Sequence, residues 1–352
     1  MSYATSAKKI RFSGLDVLRG VAALEVVIFH ARGRLGLQWL VPNAAMAVDI
    51  FFLMSGFVIA HTYDARIPAL GTAGFVRLRA IRFYPLYVLG LAIGVLRELA
   101  LFAVGSPELS FMRIFGLVVA ALLFLPAPAG GLSCFAPLNG PSWSLILEMW
   151  INAAYALFYR FLSAPVLLLV VASSAAMLTA YAVTGAINGE PNCDDAMVQV
   201  ARICYSFPLG ILMYRYRHRI PRPGTRWGPA AIALAIFCFM VPISPYYTLL
   251  FVLLLSPAIV VSLIEASFDD RLANYCGTTS YFLYATHFPL LMLASGLAHR
   301  FGLGEAPVIL LCIAGMLALS PVIDRYYDRP LRRFLSTRFG PSATRKLQRL
   351  KT

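Results

Sequence analysis

The sequence contains little charge for its length. Only 13% of its 352 residues are Asp, Glu, Lys or Arg, whereas 60% are hydrophobic and the mean hydropathy is +0.75. Soluble domains usually carry about 25% charged residues. Together with many long apolar runs, this composition predicts an all-α polytopic membrane helix bundle and argues against a separate soluble module.

The sequence also lacks the local motifs of several common site types. Its six cysteines show no CxxC spacing, so they are interpreted as small core residues, and we expect no metal site. No GxSxG elbow, phosphate-binding P-loop or dinucleotide fingerprint is present. We therefore expect no permanently bound cofactor.

Acidic residues are scarce, and the excess of basic residues is concentrated in a few places. The formal net charge is +14, and 21 of the 30 Lys and Arg residues lie within 8–11, 66–82, 215–226 and 325–351. Such clusters mark cytoplasmic flanks of membrane spans. The basic charge thus indicates topology and contact with a lipid bilayer, and we expect no nucleic-acid partner.

Eleven apolar segments are candidates for membrane spans. Both termini and the loops 64–82 and 215–227 are basic and are expected to be cytoplasmic. Five candidates lie between these two loops, whereas a return to the same side requires an even number. The sequence therefore predicts ten spans plus one re-entrant or interfacial segment, which is either 83–104 or 111–127. The expected organisation is a cytoplasmic N-terminus, a membrane domain and a basic cytoplasmic tail, at residues 1–14, 15–325 and 326–352.

The first span contains an arginine and a histidine inside an apolar run. Arg19 and His30 are eleven residues apart, close to three helical turns, so both project from one face about 16 Å apart along the axis. Charged groups inside a membrane helix usually face the protein interior or a water-filled path. This face is the first candidate functional surface.

Four further polar clusters lie where a lipid-facing helix would not tolerate them. They contain Asp49 and Ser55; Arg77, Arg79 and Arg82; Trp143, Ser144 and Glu148; and Tyr284 and His287.

Each cluster also has a structural interpretation. The three arginines alone would be positive-inside anchors, and Ser55-Gly56 alone would be a helix-packing step. Trp143 alone would be an interfacial residue, and His287 a buried structural histidine. Intramembrane carboxylates such as Glu148 are harder to explain without a function.

Taken in order, these clusters resemble the acyltransferase 3 family of integral membrane O-acyltransferases, in a stand-alone form without an SGNH domain. The resemblance extends from residue 15 to about residue 325. It rests on LDxLRGxAAxxVVxxH, DxFFxxSGF, RxxRxxP, WSLxxE and SYxLYxxHxP, at 15–30, 49–57, 79–85, 143–148 and 280–289.

The resemblance implies transfer of an acyl group, commonly acetyl from acetyl-CoA, to a hydroxyl of a cell-envelope or exported polysaccharide. The partners would be acyl-CoA, a glycan or lipid-linked saccharide, and the bacterial cytoplasmic membrane. We expect Arg19, Arg77, Arg79 and Arg82 to hold the donor phosphates.

On this interpretation His30 is the catalytic base, and Asp49 or Glu148 orients its imidazole. Glu148 is expected to share a pocket with His30. The remaining candidates would contact the acceptor, with Trp143 offering a flat surface to a sugar ring; they are Ser55, Trp143, Ser144, Tyr284 and His287. A covalent acyl-histidine is the alternative to direct transfer.

A function of another class uses the same residue types. Intramembrane Arg, Asp, Glu and His also occur in proton-coupled transporters and in flippases of lipid-linked sugars. The Arg-x-x-Arg pair at a cytoplasmic entrance and the lack of matching halves favour the acyltransferase.

Overall fold

The computed structural model describes residues 11–106, 108–127, 136, 138–188, 195–220 and 224–341. Within these ranges the chain is helical and contains no strand, which confirms the all-α prediction. The helices, in chain order, are α1 (Ser13–Ala31), α2 (Ala47–Tyr63), α3 (Ile67–Ala103), α4 (Phe111–Leu122), α5 (Trp143–Phe158), α6 (Ala164–Thr184), α7 (Ala196–Arg215), α8 (Gly228–Met240), α9 (Pro245–Leu250), α10 (Ser256–Leu263), α11 (Asp270–Arg300), α12 (Glu305–Ile323) and α13 (Arg329–Phe339).

Seven helical segments in the described part of the chain are long and apolar enough to cross a membrane. They contain α2, α3, α6, α7, α9 with α10, α11, and α12 with α13. Three other expected spans do not reach this standard. Helix α1 carries Asp16, Arg19 and Glu25, and α5 and α8 have only 16 and 13 residues. The structure therefore supports a polytopic membrane protein without establishing the count of ten.

Helix α4 differs from its neighbours in length and position. Its 12 residues extend about 18 Å, less than the roughly 30 Å of a hydrocarbon core. Phe111 at its start stacks on Phe102 near the end of α3, with 4.1 Å between ring centroids. Near its end, the carbonyl of Ala121 accepts a hydrogen bond from Tyr87 at 3.0 Å. Of the two candidates for a segment that does not cross, α4 fits, whereas the other belongs to the long part of α3 that follows its kink at Gly71 and ends at Ala103.

Small residues allow close packing around the functional residues. A Cβ on Gly56 of α2 would collide with the carbonyl oxygen of Phe207 on α7, and one on Gly20 of α1 would collide with Cys276 on α11. Close approach at small residues is typical of membrane helix pairs. The packing interpretation of Ser55-Gly56 is therefore correct for the glycine.

The basic segments meet at one end of the helix bundle, which we call the basic end. Its contacts join segments that are distant in sequence. Hydrogen bonds of 2.6, 3.5 and 2.8 Å link Arg11 to Asn274, Arg77 to the Phe339 carbonyl, and Arg215 to Asp64. The predicted cytoplasmic N-terminus and tail lie partly outside the described ranges, at residues 1–10 and 342–352.

Candidate functional site

A cavity of about 380 Å³, which we call the central cavity, lies between α1, α2, α3, α5 and α11. This volume is within the usual range of small-molecule sites. Seven of the twelve predicted site residues line it: Arg19, Ser55, Arg79, Arg82, Ser144, Glu148 and Tyr284. The sequence motifs therefore converge on one cavity, although five of the predicted residues lie elsewhere.

Three helices hold a hydrogen-bonded group in the wall of this cavity. Glu148 on α5 accepts a hydrogen bond from the Ser55 hydroxyl at 2.5 Å and from Arg79 Nη2 at 3.3 Å. The Arg79 guanidinium also lies over the ring of Phe83, 4.6 Å from its centroid. The side chains of Arg79 and Glu148 are only 12% and 15% exposed. The pair is thus held in a fixed position with little solvent screening.

The cavity contains more guanidinium groups than carboxylates. Asp16 pairs with Arg19 and, at 2.7 Å, with Arg11. Arg82 lies over the ring of Tyr281 at 5.5 Å and forms no ion pair with any carboxylate in the described ranges. The Nε atoms of Arg19 and Arg79 are buried without a hydrogen-bond partner. This surplus of donors equips the cavity for an anion such as a phosphate.

Tyr284 forms the boundary between the central cavity and the histidines. Its hydroxyl lies 2.5 Å from Ser144 Oγ and donates to the Pro141 carbonyl at 3.2 Å. Its ring lies 5.3 Å from the ring of Phe51 and 6.2 Å from that of His287. One layer of side chains therefore separates the cavity from His287.

His30 and His287 contact each other directly. Nδ1 of the fully buried His287 lies 2.9 and 3.1 Å from the carbonyls of Leu283 and Tyr284, while Nε2 lies 3.2 Å from Nδ1 of His30. Because carbonyls only accept, the network assigns the proton of His287 to Nδ1 and a lone pair to Nε2. His30 then donates from Nδ1, to His287 and to the Val26 carbonyl at 2.9 Å. This arrangement leaves Nε2 of the half-buried His30 with a lone pair able to accept a proton.

The expected contact between His30 and a carboxylate is not present. His30 does not line the central cavity, so Glu148 and His30 do not share that pocket. Glu148 interacts with Arg79 instead, and the hydrogen-bond partner of the imidazole is His287. The prediction of a carboxylate beside His30 was wrong because sequence spacing indicated the depth of Glu148 without indicating its neighbours.

Asp49 has a partner that the motif analysis missed. Its two carboxylate oxygens accept hydrogen bonds from Nε and Nη2 of Arg202 on α7 at 3.1 and 2.5 Å. Asp49 is fully buried and the Arg202 side chain is 8% exposed. A charge within an apolar span requires a partner, so Arg202 in its apolar segment was the available signal. The geometry places Asp49 in a helix–helix ion pair with Arg202, and the hydrogen-bond partners of His30 are Val26 and His287.

Three other predicted residues lie outside the cavity. Trp143 is 7% exposed and packs edge-on against Phe52, 6.4 Å between centroids, so it offers no face to a sugar. Arg77 is exposed and reaches the Phe339 carbonyl. His287, predicted to contact substrate, is fully buried behind Tyr284. The spacing of Arg77 within its cluster placed it on a helical face different from that of its neighbours.

Comparison with known proteins identifies the class to which this site belongs. The Acyl_transf_3 family, described as an acyltransferase domain, matches residues 12–325. The chain therefore belongs to the acyltransferase 3 family, as its motifs predict. The matched range contains every residue of the central cavity except Arg11. It also contains His30 and His287.

Three named proteins are similar to parts of the chain. Protein 2 in the picA locus of Rhizobium radiobacter is 38% identical over 167 residues, which cover 42% of this chain and 81% of the relative. The acyltransferase MdmB of Streptomyces mycarofaciens is 34% identical over 43% of this chain and 40% of its own length. The exopolysaccharide production protein ExoZ of Rhizobium meliloti is 31% identical over 38% of this chain and 37% of its own length. No solved structure matches the chain at a significant level.

Proposed function

We propose that this acyltransferase moves an acyl group, acetyl in the simplest case, from acyl-CoA to a hydroxyl of a cell-envelope or exported polysaccharide. One observation carries the proposal. A cavity rich in guanidinium groups adjoins, across the Tyr284 side chain, a histidine pair in which Nε2 of His30 has a free lone pair. An anion-binding cavity next to a general base is what transfer from a phosphorylated thioester requires.

The proposed topology follows from charge and helix length. The basic end is cytoplasmic by the positive-inside rule, and the membrane is the bacterial cytoplasmic membrane. All ten expected spans cross the membrane, and α9 and α10 together form one of them. Helix α4 is the re-entrant segment. Four spans then lie between the two inner loops, which is the even number that a return to the same side requires. Cytoplasmic acyl-CoA then reaches the central cavity from the basic end. His30 lies about 16 Å from Arg19 along the axis of α1, in the direction away from the basic end.

The donor is held by the arginines of the central cavity. Arg19, Arg79 and Arg82 bind the phosphates, for which guanidinium forks are well suited. The slim pantetheine arm extends towards Ser144 and Tyr284, at the boundary with the histidines. Movement of the Tyr284 side chain admits the thioester to His30.

The chemical step uses the neutral imidazole of His30. Its Nε2 takes the proton of the acceptor hydroxyl, whose oxygen attacks the thioester carbonyl carbon. The carbon–sulfur bond breaks, and the departing thiolate takes the proton back from His30, which yields the ester and free CoA. His287 accepts the hydrogen bond from His30 Nδ1 throughout and so holds the ring in the productive tautomer.

The acceptor class is supported by the relatives. One of them is named as an exopolysaccharide production protein, and this name favours a saccharide hydroxyl. Because His30 is half-buried at the end of α1 opposite the basic end, a large glycan need not enter the central cavity.

The test is transfer of radiolabelled acetyl from acetyl-CoA by the purified protein to a polysaccharide extract. Wild type should produce labelled polysaccharide and free CoA in equal amounts. His30→Ala should lower the rate of transfer at least about 100-fold, since positioned general bases contribute roughly 10²–10⁴-fold. His299→Ala, at an exposed histidine, is the control. A wild-type protein that consumes no acyl-CoA, or that moves a labelled lipid-linked sugar across vesicles unmodified, would overturn the proposal.

A further inference from the structure

A second concave site lies at the basic end, outside the central cavity. It has a volume of about 650 Å³ and lies between the start of α11 and the junction of α12 with α13. We call it the terminal cavity. Its polar lining residues are Asn274, Tyr275, Thr278, Asp324, Arg325, Arg329 and Arg333. No residue is shared with the lining of the central cavity.

Positive charge exceeds negative charge in this cavity. Asp324 accepts from Arg329 at 2.6 Å and lies 4.0 Å from Arg332, so its charge is compensated. Arg325 and Arg333 form no ion pair within the described ranges, although Arg325 also lies 5.5 Å from the ring of its neighbour Tyr326. Two guanidinium groups therefore remain available to a ligand. Their planar forks match the oxygens of a phosphate group.

The position of the terminal cavity restricts its ligand. Helix α12, which leads into the cavity, exposes Leu311 and Leu319 at 73% and 54%, as a lipid-facing helix does. Helix α13 beyond it exposes Phe334 at 61%, and arginines flank this ring in the sequence. Basic residues beside exposed apolar side chains are typical of the boundary between membrane and water. An organic phosphate at this boundary has access from the bilayer and from the cytoplasmic solution.

A hydrogen bond joins the two cavities. Arg11 lines the central cavity and donates from Nη1 to Oδ1 of Asn274, which lines the terminal cavity, at 2.6 Å. Arg11 also donates from Nε to Asp16 at 2.7 Å. The two cavities are therefore neighbours within reach of a single extended ligand.

We propose that the terminal cavity binds the phosphate group of an organic phosphate through Arg325 and Arg333. Two sources supply this chemistry. One is the 3′-phosphate at the nucleotide end of the acyl-CoA whose arm occupies the central cavity, and this source rests on the proposed function. The other is the headgroup of an anionic phospholipid, which does not depend on it.

The experiment compares two variants of the full chain in phosphatidylcholine nanodiscs. Arg325→Gln/Arg333→Gln removes the two available guanidinium groups of the terminal cavity. Arg226→Gln/Arg338→Gln removes the same charge at basic positions outside both cavities and serves as the control. Equal melting temperatures of the two variants establish that both are folded.

The first measurement is binding of CoA and of dephospho-CoA, which lacks the 3′-phosphate. If the nucleotide end occupies the terminal cavity, wild type and control prefer CoA by about tenfold or more, and the cavity variant loses this preference. The second measurement is retention of phosphatidylglycerol doped into the nanodiscs, counted by native mass spectrometry. If the lipid is the ligand, only the cavity variant loses retention.

Each result decides the proposal. A change confined to the cavity variant in either measurement supports it and identifies the source. Identical behaviour of the two variants in both measurements overturns it. A wild type that binds no CoA at all contradicts the proposed function, whereas the phosphatidylglycerol measurement still decides the terminal cavity.

Discussion

His287 Nε2 lies 3.2 Å from Nδ1 of His30, although 257 residues separate the two histidines. The backbone carbonyls around His287 determine which nitrogen of each ring carries the proton. In the proposed mechanism, His287 thus occupies the position that an acid occupies in a hydrolase triad. It aligns the imidazole of His30 without placing a negative charge beside it.

The first prediction concerns this pair. His287→Leu should lower the acyl-transfer rate about tenfold to 100-fold with little change in KM for acyl-CoA, because His30 loses its acceptor and its orientation. His287→Gln should recover part of the rate, since its amide oxygen accepts a hydrogen bond. A pH–rate profile for each variant provides the second readout, because the acceptor influences protonation of His30 and its loss should displace the profile. Equal rates and superimposable profiles for wild type and His287→Leu would contradict a positioning role.

The second prediction concerns the arginines of the central cavity. Arg79→Ala and Arg82→Ala should each weaken CoA binding about tenfold or more, whereas Arg77→Ala, at an exposed position outside the cavity, should not. Lysine at either cavity position should restore binding only in part, because the planar fork is lost. Isothermal titration calorimetry with CoA measures the dissociation constant of each variant. If Arg77→Ala weakens binding as much as the cavity variants do, the effect belongs to net charge rather than to the cavity.

The third prediction concerns the coupling of Glu148 to Arg79. Their ion pair is largely buried, so a double-mutant cycle of Glu148→Gln and Arg79→Ala should be non-additive in the free energy of CoA binding by about 0.5–3 kcal/mol. The Glu148→Gln single variant should also lower turnover, because Arg79 is no longer held in place. A cycle that closes additively would mean that the two side chains act independently.

The fourth prediction separates a structural role of Asp49 from a catalytic one. Asp49→Asn leaves Arg202 buried without its counter-ion, which costs about 3–5 kcal/mol of stability. The thermal unfolding midpoint in detergent should fall, and Asp49→Leu/Arg202→Met should recover much of it. If Asp49→Asn is as stable as wild type but has no transfer activity, Asp49 has a catalytic role and the structural interpretation is wrong.

The fifth prediction tests the proposed orientation in the membrane. In intact cells, a membrane-impermeant thiol reagent should label a cysteine placed at 186, which is not buried, and fail to label cysteines at 217 and 338. Permeabilised cells provide the control for reactivity at all three positions. External labelling at 217 would place the basic end outside and exclude donor entry from the cytoplasm.

The sequence by itself determined the class of the protein and identified several of the polar residues that line its central cavity. Hydropathy, the positions of Lys and Arg, and the motifs around Arg19, Ser55, Arg79 and Glu148 were sufficient, because each depends on local composition and on helical spacing. The odd number of candidate spans even showed that one segment should fail to cross, and the short α4 fits that role.

Only the tertiary structure decided which of these groups meet. Asp49 contacts Arg202, Glu148 contacts Arg79, and His30 contacts His287, in place of the single carboxylate–histidine pocket expected from the motifs. Spacing along a helix gives the face and depth of a side chain, whereas its neighbour depends on which helices pack together. That packing arises from close approach at residues such as Gly56 and Gly20, between segments far apart in the chain, and the pattern within one helix does not encode it.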